Sequence, residues 1–206
     1  MKKKKELDVI FIIDKSGSMS GSEDNTISSF NEYLEREKKN KYNTYISTIL
    51  FNDKYEYLHD KALINDVNKL TREDYQVGGC TALYDAIGNA INNVDKKKTD
   101  KVMFIIITDG YENASREYSN NKIKKMIKSH SDWEFIFIGA DIDSYSVGDS
   151  IGIKRKNIAN YKKDKCGTSI LFESVSRFGD AMMEDRVCEN WKDKLDSYIN
   201  ENENDD

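Results

Sequence analysis

The 206 residues predict an α/β fold: a doubly wound, mostly parallel central sheet with one antiparallel edge strand and helices on both faces. Three observations carry this expectation. Short apolar runs alternate with stretches whose apolar residues recur at helical spacing, as in a parallel sheet covered by helices. Residues 7–13 and 101–108 are apolar through their middles on both alternating sets, so they read as central strands buried on both faces. Segments 45–51 and 54–59 are separated only by the turn residues Asn52-Asp53, and so tight a connection joins antiparallel neighbours.

In chain order, the run Leu7-Asp8-Val9-Ile10-Phe11-Ile12-Ile13 is the first strand. Ile27, Phe30 and Leu34 then share one stripe, which predicts an amphipathic helix over about 22–38. The antiparallel pair follows. Helices are expected over about 82–94 and 119–129, with the second apolar run between them at 101–108. Residues 133–140 read as a further strand, 158–160 as a short last strand, and 169–185 as a long helix. From there the chain becomes polar and acidic. The expected organisation is therefore a domain over 1–186 and an acidic tail over 187–206, disordered at its end.

Composition narrows the function. A chain of 206 residues with 38% apolar content suits one domain with a real core. Its 32 basic and 37 acidic residues give a net charge of -5, and no basic stripe appears outside Lys2–Lys5. That balance argues against nucleic acid as a partner. The apolar run after those lysines is interrupted by Asp8 and Asp14, unlike a signal peptide, and no segment reaches membrane-spanning length. Cys80, Cys166 and Cys188 form no C-x-x-C pair, and their odd number fits a reduced, cytoplasmic setting. Proline is absent, which rules out prolyl turns.

The chemistry lies at three junctions. Asp14-Lys15-Ser16-Gly17-Ser18 directly follows the first strand, and Thr108-Asp109-Gly110 repeats the arrangement after the second apolar run. Thr81 opens a third segment behind Gly78-Gly79-Cys80. Neighbouring parallel strands that each release an Asp at their carboxyl ends place both acids where open α/β sheets bind ligands. Asp14, Ser16, Ser18, Thr81 and Asp109 all offer oxygen, so the set suits a hard cation, Mg²⁺ or Mn²⁺ before Ca²⁺. Neutral hydroxyls hold such an ion without neutralising it. Small octahedral ions also keep exchangeable waters. The natural replacement is an Asp or Glu carboxylate of a partner protein. Taken alone, D-x-S-x-S is also an ordinary helix cap; a cap does not call for Thr81 and Asp109 behind it.

The D-x-S-x-S turn after an apolar strand, the separate Thr81 and the Thr108-Asp109-Gly110 turn resemble the von Willebrand factor A domain with its metal-ion-dependent adhesion site. Residues 78–90, 109–115 and 138–153 are similar to the small stand-alone bacterial and phage members, and the resemblance spans roughly 6–185. It implies direct binding of the ion by Ser16 and Ser18, and by Thr81 in a ligand-competent state. Asp14 and Asp109 would act largely through water. It also implies a non-catalytic, protein-binding role. Cys80 and Val77 depart from the family pattern without removing a ligand.

Other residues have two readings each. Asp85, one turn after Thr81, either supports a ligand from behind or is a helix-terminus charge. Asp141 and Asp143 either decorate the rim or cap the next helix, and Tyr111, Glu112 and Asn113 either shape partner choice or are loop polarity. His59 and His130 are expected to be structural or solvated. Cys80 is expected to be a small packed thiol rather than a redox handle. A metal-dependent phosphatase is the alternative function, but its D-x-D is broken by Ser16 and no G-x-x-x-x-G-K loop is present. An adaptor for a chaperone-like ATPase would use the same site.

Overall fold

A computed structural model describes residues 4–94 and 99–203. Among these residues six strands form one sheet in the order β3-β2-β1-β4-β5-β6. They are β1 (Glu6–Asp14), β2 (Asn43–Phe51), β3 (Tyr55–Leu63), β4 (Lys101–Thr108), β5 (Glu134–Gly139) and β6 (Ile158–Asn160). All neighbours are parallel except β2 and β3, so the antiparallel edge strand is β3. Among the described residues six α-helices cover the sheet: α1 (Glu23–Glu37), α2 (Leu83–Val94), α3 (Asn120–Ser129), α4 (Ser144–Ser150), α5 (Lys165–Met183) and α6 (Asp193–Glu203).

The alternation of β1 sorts the two layers. Leu7, Val9, Phe11 and Ile13 join a core with residues of α1, α5 and α6, while Ile10 and Ile12 join one with α2 and α3. Phe11 packs edge-on against Phe30 and Tyr33 of α1, at 5.2 and 5.0 Å between ring centroids, and lies 5.9 Å from Phe172 of α5. Edge-to-face aromatic pairs stabilise beyond their buried area, so this cluster fixes both helices over the middle of β1.

Two boundaries differ from expectation. Helix α5 begins at Lys165 rather than near 169, because the Asp164 carboxylate accepts the Gly167 N–H at 2.7 Å and caps the helix there. The segment expected as a tail over 187–206 carries α6, whose side toward the core buries Leu195, preceded by buried Trp191. The Trp191 ring stands edge-on to Phe178 of α5, and its indole N–H donates to the Lys156 carbonyl at 2.8 Å. Of the tail's end, expected to be disordered, residues 204–206 lie outside the described residues, as do the first three residues of the lysine-rich terminus.

Candidate metal centre

The strand order reverses between β1 and β4, the two strands that were expected to deliver the acids. Open α/β sheets bind ligands in the crevice at such a switch point. Asp14 ends β1 and is fully buried. One carboxylate oxygen accepts the Ser16 N–H at 2.6 Å, and the other accepts the Thr108 hydroxyl at 2.6 Å. The Asp14 carbonyl is itself held by the Tyr75 hydroxyl, at 2.5 Å. The turn after β1 is thereby locked to both neighbouring strands, since Lys15 N–H donates to the Phe51 carbonyl at the end of β2.

The glycine pair brings the second segment in. Gly17 N–H donates to the Gly79 carbonyl at 3.1 Å, and Gly78 N–H to the Lys15 carbonyl at 2.8 Å. Gly79 sits at φ +81, and a Cβ there would collide with the Asp53 carboxylate, so both backbone and space require glycine. Asp53 then accepts the Cys80 N–H at 3.0 Å. Thr81 is joined to the third segment twice: its N–H donates to the Asn113 side chain at 2.9 Å, and its carbonyl accepts the Asn113 N–H at 3.0 Å.

The side chains meet inside this frame. Ser16 and Ser18 hydroxyls lie 3.1 Å apart, and the Ser18 hydroxyl donates to Asp109 at 2.5 Å. A Cβ on Gly110 would fall 2.8 Å from the Thr81 hydroxyl and 3.4 Å from that of Ser18. Thr81 and Ser18 therefore flank one glycine, and the five residues occupy one locale. Adjacent oxygens around a six-coordinate Mg²⁺ are about 3 Å apart, given bonds of about 2.0–2.1 Å. The serine pair matches that edge. No group of three His, Cys, Asp or Glu side chains among the described residues is arranged to hold a metal ion by itself, so an ion held here leans on hydroxyl and water oxygens. The donor set fits a small hard cation.

The two acids of the crevice influence each other. Burial pushes the Asp14 carboxyl above its ordinary value, against the hydrogen bonds from Thr108 and Ser16, and the charge of Asp109 pushes the same way as burial. Two buried acids side by side favour a cation between or beside them.

Sequence reasoning missed two contributors. Thr108 was read as part of a turn, yet it orients Asp14. Lys163, in the connection from β6 to α5, extends its ammonium to 2.8 Å from Asp109 and 2.8 Å from Asp141. Burial alone would lower the Lys163 ammonium, but its hydrogen bonds to Asp109 and Asp141 outweigh it and hold the group above its usual value. Its only signal in the sequence is position, since the loop after β6 opens on the same carboxyl edge of the sheet.

The remaining candidates separate. Asp85 accepts the N–H groups of Arg116, Glu117 and Tyr118 at 2.8, 2.9 and 3.0 Å, so it clamps the loop after β4 rather than facing a ligand. Glu112 gathers the N–H groups of Tyr84, Ala114 and Ser115 in the same way. Asp143 caps α4 through the Ser146 N–H, whereas Asp141 belongs to the site's rim. Tyr111 is exposed beside them, its hydroxyl accepting the Asp143 N–H at 3.1 Å. His59 bonds Thr48 and His130 stacks on Trp133. Cys80 is exposed, not packed, because the glycine turn carries it outward. Hydrogen bonding to Asp53 pushes its thiol up, away from thiolate chemistry.

The sequence profile described as the von Willebrand factor type A domain matches residues 8–164. The chain belongs to this family. Among solved structures, this type A domain resembles proximal thread matrix protein 1 from the mussel byssus, in a form described as having a zinc-occupied MIDAS motif. The TM-score is 0.62 with 18% identity over 87% of this chain and 45% of that one. It also resembles the PilB minor pilin from Streptococcus sanguinis, with TM-score 0.67 and 12% identity over 91% of this chain and 63% of the pilin. The domain of the type V pili tip protein Mfa5 from Porphyromonas gingivalis superposes with TM-score 0.64 and 10% identity over 87% and 97%. The domain thus spans about half the length of the mussel chain. At these identities the likeness is one of fold. No curated protein matches the sequence. No helix among the described residues is long and apolar enough to cross a membrane.

Proposed function

We propose that this domain is a non-catalytic, protein-binding module whose grip on its partner depends on a divalent cation, Mg²⁺ or Mn²⁺. Ser16, Ser18 and Thr81 would hold the ion directly, with Asp14 and Asp109 acting largely through water. The bound ion would supply an electrophilic open position for an Asp or Glu carboxylate of the partner. The observation that carries the reading is the string from Ser16 through Ser18 to Asp109, with hydroxyl oxygens spaced like neighbouring corners of an octahedron.

The chain's own residues perform defined tasks in this scheme. Asp14 orients the Ser16 turn by accepting its N–H, and Thr108 fixes the Asp14 carboxylate in turn. Gly110 leaves the space in which Thr81 approaches Ser18. The mussel relative's zinc-occupied motif supports an ion at this place in the fold, although hydroxyl-rich donors favour harder ions than zinc. The matrix-protein and pilin relatives support a role in assembly rather than turnover.

Calorimetric titration with Mg²⁺ and Mn²⁺ tests the site, and affinity capture in Mg²⁺ against EDTA tests the module. Wild type should bind one ion and capture its partner only with metal. Asp14→Ala should lose both while keeping its circular-dichroism spectrum. Titration of Asp14→Ala identical to wild type would refute the assignment.

A further inference from the structure

Lys163 stands out because nothing in the ion-binding scheme uses it, yet its ammonium touches one of the scheme's two buried acids. Its side chain is 26% exposed, that of Asp109 is 0% and that of Asp141 is 70%. The ammonium bridges an inner and an outer carboxylate, and it also lies 3.3 Å from the Ser18 carbonyl. It takes the oxygen of Asp109 that the Ser18 hydroxyl leaves free.

The position is built. The Lys163 carbonyl accepts the Asn25 side-chain N–H from α1 at 3.1 Å, and the next residue, Asp164, caps α5. Tyr161 N–H donates to the Gly139 carbonyl at 2.9 Å, so the segment is tied to β5 as well. On the outer side, Asp141 is held at φ +56, a backbone region that non-glycine residues rarely adopt. That conformation turns the chain after β5 beside the ammonium.

We infer that Lys163 is a tethered counter-cation that neutralises Asp109 while the site holds no metal and retreats to Asp141 when a divalent ion arrives, thereby setting the threshold for metal binding. This rests on the ion-binding reading above. A buried carboxylate without a cation is costly, and the lysine removes that cost in the ion-free domain. A divalent ion held beside Asp109 through water and an ammonium on the same carboxylate repel each other, so ion binding favours withdrawal of the ammonium from Asp109. Asp141 lies within reach without a change of backbone, since it already holds the same ammonium at 2.8 Å. The lysine thus competes with the metal. It weakens ion affinity and keeps the ion-free fold ordered, so that partner capture follows the divalent-ion level.

The test compares wild type with Lys163→Met, which keeps the stem and removes the charge, and with Lys163→Gln should the first misfold. Each is titrated with Mn²⁺ alone and unfolded with urea in EDTA, with and without Asp109→Asn. The neutral variant should bind Mn²⁺ at least tenfold more tightly than wild type. Its urea midpoint in EDTA should fall, and that fall should shrink in the Asp109→Asn background. Equal or weaker Mn²⁺ affinity in the neutral variant overturns the inference and leaves the ion-binding reading standing. Absence of Mn²⁺ binding in both proteins overturns the ion-binding reading and this inference with it.

Discussion

Thr108, the last residue of β4, donates its hydroxyl across the seam to the buried carboxylate of Asp14, the last residue of β1, over 2.6 Å. The register of the two strands makes this contact inevitable, since Ile13 pairs with Ile107 one residue earlier. Thr108→Val keeps the shape and deletes the donor. Losing a hydrogen bond to a charged buried group costs roughly 1–3 kcal/mol, so urea unfolding should show a loss of that order. Mn²⁺ affinity should drop about tenfold, as for other residues that orient metal ligands. Thr108→Ser should restore both, and a Val variant with wild-type affinity would remove Thr108 from the site.

Gly110 tests the space rather than the charge. A methyl group there meets the Thr81 hydroxyl at 2.8 Å and the Ser18 hydroxyl at 3.4 Å. Gly110→Ala should therefore displace Thr81 and weaken Mn²⁺ binding about tenfold, while thermal unfolding in EDTA stays close to wild type. A large drop in melting temperature with unchanged affinity would show that the glycine serves folding instead.

Asp85 separates loop support from ligand contact. Its carboxylate takes three backbone N–H groups of residues 116–118. Asp85→Ala should cost roughly 1.5–3 kcal/mol in urea unfolding, the range for hydrogen bonds to a charged group. Amide exchange at Arg116, Glu117 and Tyr118 should accelerate. Ion affinity measured on the folded variant should remain within a few-fold, and its abolition would return Asp85 to the site.

The parallel strands were legible because residues 7–13 and 101–108 are apolar on both alternating sets, a pattern that only a doubly covered strand tolerates. The candidate residues stood out for a related reason: each follows a strand or opens a helix, where periodicity stops and polar residues are conspicuous. Lys163 was not, because one lysine in a Lys-Lys-Asp loop has no period and its partners, Asp109 and Asp141, come from two other loops. Asp85 looked like a candidate because helical spacing places it near Thr81, but spacing is silent on which backbone amides fold back onto it. Trp191 and Leu195 were hidden by polar neighbours, and their burial depends on α5 presenting Phe178.

That packing makes its own prediction. Trp191 is 1% exposed and joins the main core with Leu195 and Phe178. Trp191→Ala should cost about 3–5 kcal/mol, the range for deleting a large buried aromatic, and should release α6. A variant with unchanged urea midpoint would mean that α6 docks only loosely on α5.

Glu37 should give the fold a pH dependence of known sign. It ends α1, is 2% exposed, and accepts the Ser176 hydroxyl of α5 at 2.6 Å and the Asn40 side chain at 2.7 Å. Burial pushes its carboxyl up to about 7, against the Ser176 hydrogen bond, and the charge of nearby Asp180 adds to the rise. A folded value above the unfolded one means that the native state holds the proton more tightly. The Glu37 contribution is therefore most favourable below about 4.5 and is lost as pH rises through about 7. The interval from 4.5 to about 7 corresponds to about 3 kcal/mol. Glu37→Gln imitates the protonated form, so it should exceed wild type in stability by an amount of that order at pH 8 and converge with it near pH 5. Urea unfolding of both proteins at pH 5, 6, 7 and 8 measures the difference directly, and a gap that does not change with pH would show that Glu37 titrates alike in the folded and unfolded chains.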